Sequence, residues 1–301
     1  MLHGKFPVKP MERGIAASDC AAEVVASGPK VAGFRKGDRV TITCNPATIN
    51  GDEDEETTGL GGEHDGVLRE YAVFDQKYLV HLPHTMDWKE ASTLPIAGVT
   101  AWAALNSDAS GPKGRFALLQ GTGGVSTFAL LLCAAAGIKP IITSGSNDKL
   151  KAVQKFGGET GVLGINYKTC QDIPAEVMRL TDGLGVDFVV NTSGFESIPQ
   201  DIAALRKRNG VISLVGLLAG IEASWSPREL LNLMYKRGHI RGSNAGSKAD
   251  LEHLIRFVDE NKIDLTPLID RVFPFDQSQE AFDYAYSGQH IGKVIIQVSS
   301  D

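Results

Sequence analysis

Residues Phe116-Ala-Leu-Leu-Gln120 form an apolar run of strand length that runs into Gly121-Thr122-Gly123-Gly124-Val125. The apolar stretch that follows, from Ser126 to the next glycine at Gly137, has the length of a helix. No other feature constrains the chain as strongly. Glycine lets the backbone turn sharply and approach a ligand, and the helix N-terminus then presents unpaired N–H groups and the positive end of its dipole. Such a strand–turn–helix unit suits a pyrophosphate. In the G-x-G-x-x-G pattern the third glycine is replaced by Ser126, so the surroundings of the turn must carry the argument.

Those surroundings alternate between strand and helix patterns, as a parallel sheet requires. Strands are predicted at Phe116–Gln120, Pro140–Ser144, Val162–Ile165, Val186–Asn191, Val211–Val215 and His239–Arg241. Helices are predicted at Lys149–Phe156, Ala175–Thr181 and Pro199–Lys207, with stops near Gly157, Gly183 and Gly210. This is an α/β, doubly wound parallel sheet, assigned to residues 91–245. Residues 1–90 read differently: Ala21–Val25, Asp38–Ile42 and Arg69–Phe74 are short β-rich pieces between turns, the pattern of a small antiparallel domain. Residues 246–301 hold helices near Lys248–Asn261 and Asp276–Ser287 and a last strand, Lys293–Val298.

At 301 residues the chain has room for two cores, and a net charge of −6 argues against a nucleic-acid or anionic-membrane partner. Cys20, Cys44, Cys133 and Cys170 are scattered without a C-x-x-C pair, which fits a reducing compartment. The apolar run Phe128–Ile138 is too short to span a bilayer, and Met1-Leu-His-Gly-Lys-Phe-Pro lacks a signal-peptide core. A cytoplasmic location is expected. The acidic run Asp52-Glu-Asp-Glu-Glu56 reads as a solvated loop.

Ala22-Glu-Val-Val-Ala-Ser-Gly28, Gly33-Phe-Arg-Lys-Gly-Asp-Arg-Val40, Ala91-Ser-Thr-Leu-Pro-Ile-Ala-Gly-Val-Thr-Ala-Trp102, the Gly121 turn and His290-Ile-Gly-Lys-Val294 occur in an order that resembles the medium-chain dehydrogenase/reductase superfamily. Within it the chain is similar to the zinc-independent, quinone-oxidoreductase-like branch often labelled alcohol dehydrogenase. The resemblance implies a GroES-like catalytic domain built from both chain ends, with the dinucleotide-binding (Rossmann) domain inserted. Two departures stand out. Zinc-dependent members carry Gly-His-Glu where this chain has Ala17-Ser18-Asp19, and a cysteine where it has Ile96. The cysteine-rich lobe is absent between Cys44 and Gly66, and His64, beside Glu63 and Asp65, is a lone histidine. No metal is expected, since a zinc site needs three or four ligands. Family members also have several strands ahead of the position matching Lys5-Phe-Pro, so the resemblance implies a catalytic domain incomplete at its N-terminus.

By the same resemblance Thr100 contacts the nicotinamide, and the backbone of Val215-Gly216-Leu217 holds its carboxamide. Gly121, Thr122, Gly123, Gly124 and Val125 bind the pyrophosphate. An NAD site places an acid at the end of the second strand; this chain has Thr143-Ser-Gly-Ser-Asn-Asp148-Lys149, with Asp148 explained as a helix cap. Ser144, Ser146 and Asn147 can donate to a 2′-phosphate and Lys149 can neutralise it, while Tyr167 resembles the family residue beside that phosphate. NADP(H) is therefore the expected cofactor. Ser18, at the lost ligand position, is the candidate proton donor, with a polar remnant as its alternative. The expected activity is hydride transfer to an enone, quinone or enoyl substrate. The alternatives are a metal-free alcohol/aldehyde dehydrogenase and a non-catalytic NADPH-binding protein. A homodimer through His239-Ile-Arg-Gly-Ser-Asn244 is also expected, since an edge strand invites a two-fold partner.

Overall fold

A computed structural model of the chain describes residues 11–54 and 58–299. Lys5-Phe-Pro and the last part of the acidic run, Glu55 and Glu56, lie outside the described residues. In chain order, β1 (Ala22–Glu23), β2 (Arg39–Ile42) and β3 (Leu79–His81) precede α1 (Trp88–Ala91) and α2 (Val99–Ala104). Next come β4 (Phe116–Leu119), α3 (Gly124–Ala135), β5 (Lys139–Ser144), α4 (Asn147–Gln154), β6 (Leu163–Asn166) and α5 (Ile173–Leu180). They are followed by β7 (Phe188–Asn191), α6 (Ile198–Ala204), β8 (Val211–Leu214), α7 (Leu230–Lys236) and β9 (His239–Gly242). Last are α8 (Lys248–Glu260), β10 (Ile269–Pro274), α9 (Ser278–Tyr286) and β11 (Lys293–Gln297).

The chain forms two compact units, one from the chain up to Val99 with the chain from Ala245 onward, the other from Thr100–Asn244. The second holds a six-stranded sheet in the order β6-β5-β4-β7-β8-β9, every pairing parallel. All six predicted strands are present within a residue or two of their expected ends. Ala117, Leu118 and Leu119 of β4 are buried, with Leu118 opposite Ile141 and Val189, because helices cover both faces of such a sheet. The core continues through Ile165, Val177, Ile198, Ile202 and Ile212.

Two predicted helix boundaries change. The helix expected to run to Lys207 and stop at Gly210 ends at Ala204, where Leu205 turns extended. The left-handed residue there is Asn209 (φ 60°). Gly210 serves packing instead: a Cβ on it would stand 2.8 Å from the Leu205 side chain. The cap of α4 is Ser146, whose Oγ accepts from Lys149 N at 3.3 Å, and Asp148 lies in the first turn, where it meets the positive end of the dipole.

In the first unit β1, β2 and β3 form an antiparallel sheet, with Ala22 opposite Val40 and Val40 opposite His81. The segment predicted as a strand at Arg69–Phe74 is irregular, with Tyr71 73% and Val73 94% exposed. Its apolar alternation finds no buried face, and the third strand forms at Leu79–His81 instead. The C-terminal half has a parallel pair, β10 and β11, and α8, whose Ser247–Asp250 capping box fixes its start. No described helix is long and apolar enough to cross a membrane.

Candidate functional site

The parallel sheet places the ends of β4, β5, β7 and β8 at one edge, where the strand order reverses beside β4. Ligands of open α/β sheets bind there. Gly121 takes φ +78°, a conformation open to glycine at little cost, and Gly123 caps α3 with extended backbone. A Cβ on Gly123 would meet nothing within 4 Å, so the residue lines open space in front of the helix N-terminus. Gly124 and Val125 are the first residues of α3, and their N–H groups have no acceptor within the helix. Thr122 is buried beside them. This cradle fits a pyrophosphate. Ser126 takes the place of the missing glycine by closing the turn: its buried Oγ donates to Gln120 O at 2.6 Å.

The end of β5 carries the second group of candidates. Ser144 is 5% exposed and its Oγ accepts from Ser146 N at 3.3 Å, which leaves the hydroxyl proton free of that bond. Ser146 is committed to the helix cap. Asn147 Oδ1 accepts from Asn166 Nδ2 at 2.6 Å, so its amide is oriented by β6. Tyr167 is half exposed, and its N–H donates to Ser144 O at 3.1 Å. A Cβ on Gly145 would stand 2.7 Å from Tyr167 Oη and 2.9 Å from Lys168 Cε. The glycine therefore admits both side chains against the loop that Ser144, Ser146 and Lys149 define. Lys168 escaped the sequence reading, although it adjoins Tyr167.

At the end of β8, Val215 N already donates to Asn191 O at 2.9 Å. Gly216 has a packing reason of its own: a Cβ would stand 2.9 Å from Thr192 O. Leu217 is exposed. Thr100 lies in α2, 4% exposed, directly after a π-turn at Leu94–Gly98 that contains Ile96. Thr100 and the cofactor candidates belong to the second unit, and Ser18 belongs to the first.

Ser18 Oγ donates to Asp19 Oδ1 at 3.2 Å, and Asp19 Oδ2 accepts from Lys293 Nζ at 2.7 Å. Burial pushes the neighbouring Cys44 thiol up to about 11 and Cys20 up to about 12, with the Asp19 charge adding to both. Glu63 Oε2 accepts from Gly59 N, His64 Nε2 pairs with Thr58 Oγ1 and Asp65 Oδ1 accepts from Ile15 N. Glu53, in the acidic run, likewise closes its own loop by accepting from the N–H groups of Ile49, Asn50 and Gly51. Among the described residues no three His, Cys, Asp or Glu side chains are grouped to hold a metal. The residues around Ser18 do not fit a zinc ion.

Comparison with known proteins gives the lineage. Residues 1–84 match the alcohol dehydrogenase GroES-like domain and residues 124–260 match the zinc-binding dehydrogenase family. A zinc-type alcohol dehydrogenase-like protein of Schizosaccharomyces pombe is 34% identical over 302 residues, 98% of this chain and 85% of that protein. The chain belongs to the medium-chain dehydrogenase/reductase superfamily. A solved candidate alcohol dehydrogenase from Sinorhizobium meliloti 1021 superposes with TM-score 0.86 at 33% identity, covering 97% of this chain and 84% of that one. A solved NAD-dependent alcohol dehydrogenase gives TM-score 0.79 at 28% identity, covering 96% and 84%. As a member of this superfamily the chain is an oxidoreductase that works with a nicotinamide cofactor, and its fold joins a GroES-like part to the parallel sheet.

Proposed function

We propose that this dehydrogenase/reductase is a cytoplasmic, metal-free, NADP(H)-dependent reductase of a conjugated enone, quinone or enoyl substrate. One observation carries the cofactor choice. The β5 end offers Ser144 and the Lys149 backbone turn, with Tyr167 and Lys168 packed on Gly145, and no carboxylate stands at that strand end. An NAD site needs an acid there for the ribose hydroxyls, and a 2′-phosphate needs donors and cations instead. The bound cofactor supplies the hydride. This chain's part is to hold the pyrophosphate on the Gly121–Val125 turn, to keep the adenosine end on Ser144, Ser146, Asn147, Lys149 and Tyr167, and to orient the nicotinamide with Thr100 and the Val215–Leu217 backbone.

The metal-free reading is supported by Asp19, whose charge is met by Lys293, and by Ser18 and Ile96 at the positions where zinc-dependent relatives carry ligands. Without a Lewis acid, developing negative charge on the substrate oxygen calls for a hydroxyl donor, and Ser18 is assigned that role. Titration by cofactor fluorescence tests the assignment: NADPH is expected to bind more tightly than NADH, and equal affinities would overturn it. Turnover of saturated aldehydes but not enones would shift the substrate to a simple carbonyl.

A homodimer through β9 is part of the proposal. The strand is an exposed edge, and α7, just before it, leaves Met234 71% and Tyr235 81% exposed. Arg241 Nη1 donates to Asn106 Oδ1 at 2.6 Å, which ties its side chain to the chain's own α2–β4 segment. Light scattering at micromolar concentration is expected to give twice the chain mass, and a monomer mass would refute the dimer.

A further inference from the structure

Beneath the Gly121 turn lies a carboxylate that none of the roles above uses. Asp201 of α6 is 2% exposed. Its Oδ1 accepts from Gln120 Nε2 at 2.8 Å, and its Oδ2 accepts from Asn191 Nδ2 at 2.6 Å and from Ser197 Oγ at 3.1 Å. The two amides cannot flip freely. Gln120 Oε1 accepts from Ser193 N at 3.1 Å and Asn191 Oδ1 accepts from Gly194 N at 2.8 Å. A backbone N–H only donates, so each amide must turn its NH2 toward Asp201. Two fixed amide donors thus converge on one carboxyl group, the single Ser197 proton lies between Asp201 Oδ2 and Gly194 O at 3.2 Å, and only the ionised form accepts from all of them.

The residues held this way terminate two adjacent strands at the cofactor edge. Gln120 directly precedes Gly121, and its carbonyl accepts from Ser126 Oγ at 2.6 Å and Thr192 Oγ1 at 2.8 Å. Asn191 ends β7, and its side chain holds the 192–194 turn. The network joins both turns into one block.

Burial opposes the charge, pushing the Asp201 carboxyl up to about 7 against the pull of Asn191, Ser197 and Gln120. The charged groups on the elements around α6 have other partners. Glu196, in the turn before α6, binds Ser224; Glu176 and Arg179 pair on α5; Lys236, at the end of α7, donates to the Ala203 and Leu205 carbonyls; and Asp187, beside β7, pairs with Arg206. Desolvation, rather than any of these charges, sets the shift. A proton arriving on Asp201 finds both amides presenting donors. Within the cluster only Ser197 Oγ, which already accepts from Asn191 Nδ2 at 2.9 Å, can accept it, and the Ser197 proton then turns from Asp201 to Gly194 O at 3.2 Å.

We propose that Asp201 is a positioning residue for the cofactor: as an ionised acceptor it locks Gln120 and Asn191, and through them the Gly121 and Thr192–Gly194 turns, in the arrangement that binds the dinucleotide. The inference rests on the reading that the Gly121 turn holds the cofactor. NADH is the probe, because it lacks the 2′-phosphate, a group that itself titrates near pH 6. Its dissociation constant is measured by fluorescence with the full chain at pH 6 and pH 8. In the parent, binding is expected to weaken roughly three- to tenfold at the lower pH, the scale of one lost hydrogen bond. Asp201→Asn presents a donor to a fixed donor at every pH, so its binding is expected to be weak and flat. A flat profile in the parent, or the same slope in the variant, would overturn the proposal. Should the variant fail to fold, calorimetry of the parent in two buffers of different ionisation heat replaces it. Net proton release on NADH binding near pH 7 supports the proposal, and none refutes it. Gly123→Asp separates the two readings: if it binds NADH as the parent does, the assignment of the Gly121 turn has failed instead.

Discussion

The turns after β4 and β5 differ in kind. The first, Gly121–Val125, presents backbone to the ligand, and its side chains face inward: Thr122 and Ser126 are buried, and Gln120 is held from below by Asp201. The second, Ser144–Lys149, is lined by polar side chains, from the buried Ser144 to the exposed Asn147, and is braced by Asn166 at the end of β6 and by Tyr167 after it. A backbone cradle cannot tell one dinucleotide from another, because the pyrophosphate is common to both. In the proposed assignment, side chains at the β5 end would meet the part that differs, so the first turn would decide whether a cofactor binds and the second which.

The largest effect should come from the first turn. Gly123→Asp puts a carboxylate into the open space before α3, where the phosphates are assigned. Aspartate is a better N-cap than glycine, by a few tenths of a kcal/mol, so the melting temperature should hold or rise. Binding of NADPH and NADH should both fall on the order of 100-fold or more, since like charges repel in a site built for anions. Equal loss of both cofactors with an intact melt would fit the division of labour. Loss of NADPH alone would break it.

A smaller, selective effect is expected at the second turn. Lys149→Ala should weaken NADPH by about 1.5–3 kcal/mol, the range of a charge-assisted hydrogen bond, and leave NADH within about twofold. Paired titrations read both arms. If NADH weakens equally, Lys149 is supporting the loop and not reading the phosphate.

Residue type and position suffice for a charge argument, which is how Ser144, Lys149 and Tyr167 enter the proposal, and the structure sets Tyr167 beside Ser144. Ser146 and Asn147 proved to be engaged in a cap and in a bond to Asn166, which depends on the register of β5 against β6. The sheet itself was legible because buried parallel strands are continuous apolar runs. Arg69–Phe74 was misread because alternation marks a strand only where a partner and a buried face exist, and both are tertiary facts. The Asp201 cluster left one usable signal: Gln120 and Asn191 are amides at the ends of two otherwise apolar runs, Phe116–Leu119 and Phe188–Val190. Their common partner, in the following helix, could not be read from spacing.

The network under the first turn offers the finest test of the contrast, because it should couple stability to pH while the second turn does not. The Asp201 carboxyl is raised from its ordinary 3.8 to about 7 by burial. A carboxyl raised in the folded state holds a proton that the unfolded chain has released, so its contribution is fully present below pH 3.8 and is lost as pH rises through about 7. From pH 6 to pH 8 the folded parent should therefore lose on the order of 1 kcal/mol relative to Asp201→Asn, the linkage value for roughly one pH unit below the folded value. Urea melts of both proteins at both pH values measure the difference, and groups common to the two cancel. The direction opposes the binding effect: the ionised network that positions the cofactor turn is the form that costs stability. If the two proteins keep a constant stability difference across this range, Asp201 does not titrate there, and the glycine turn owes its geometry to the backbone alone.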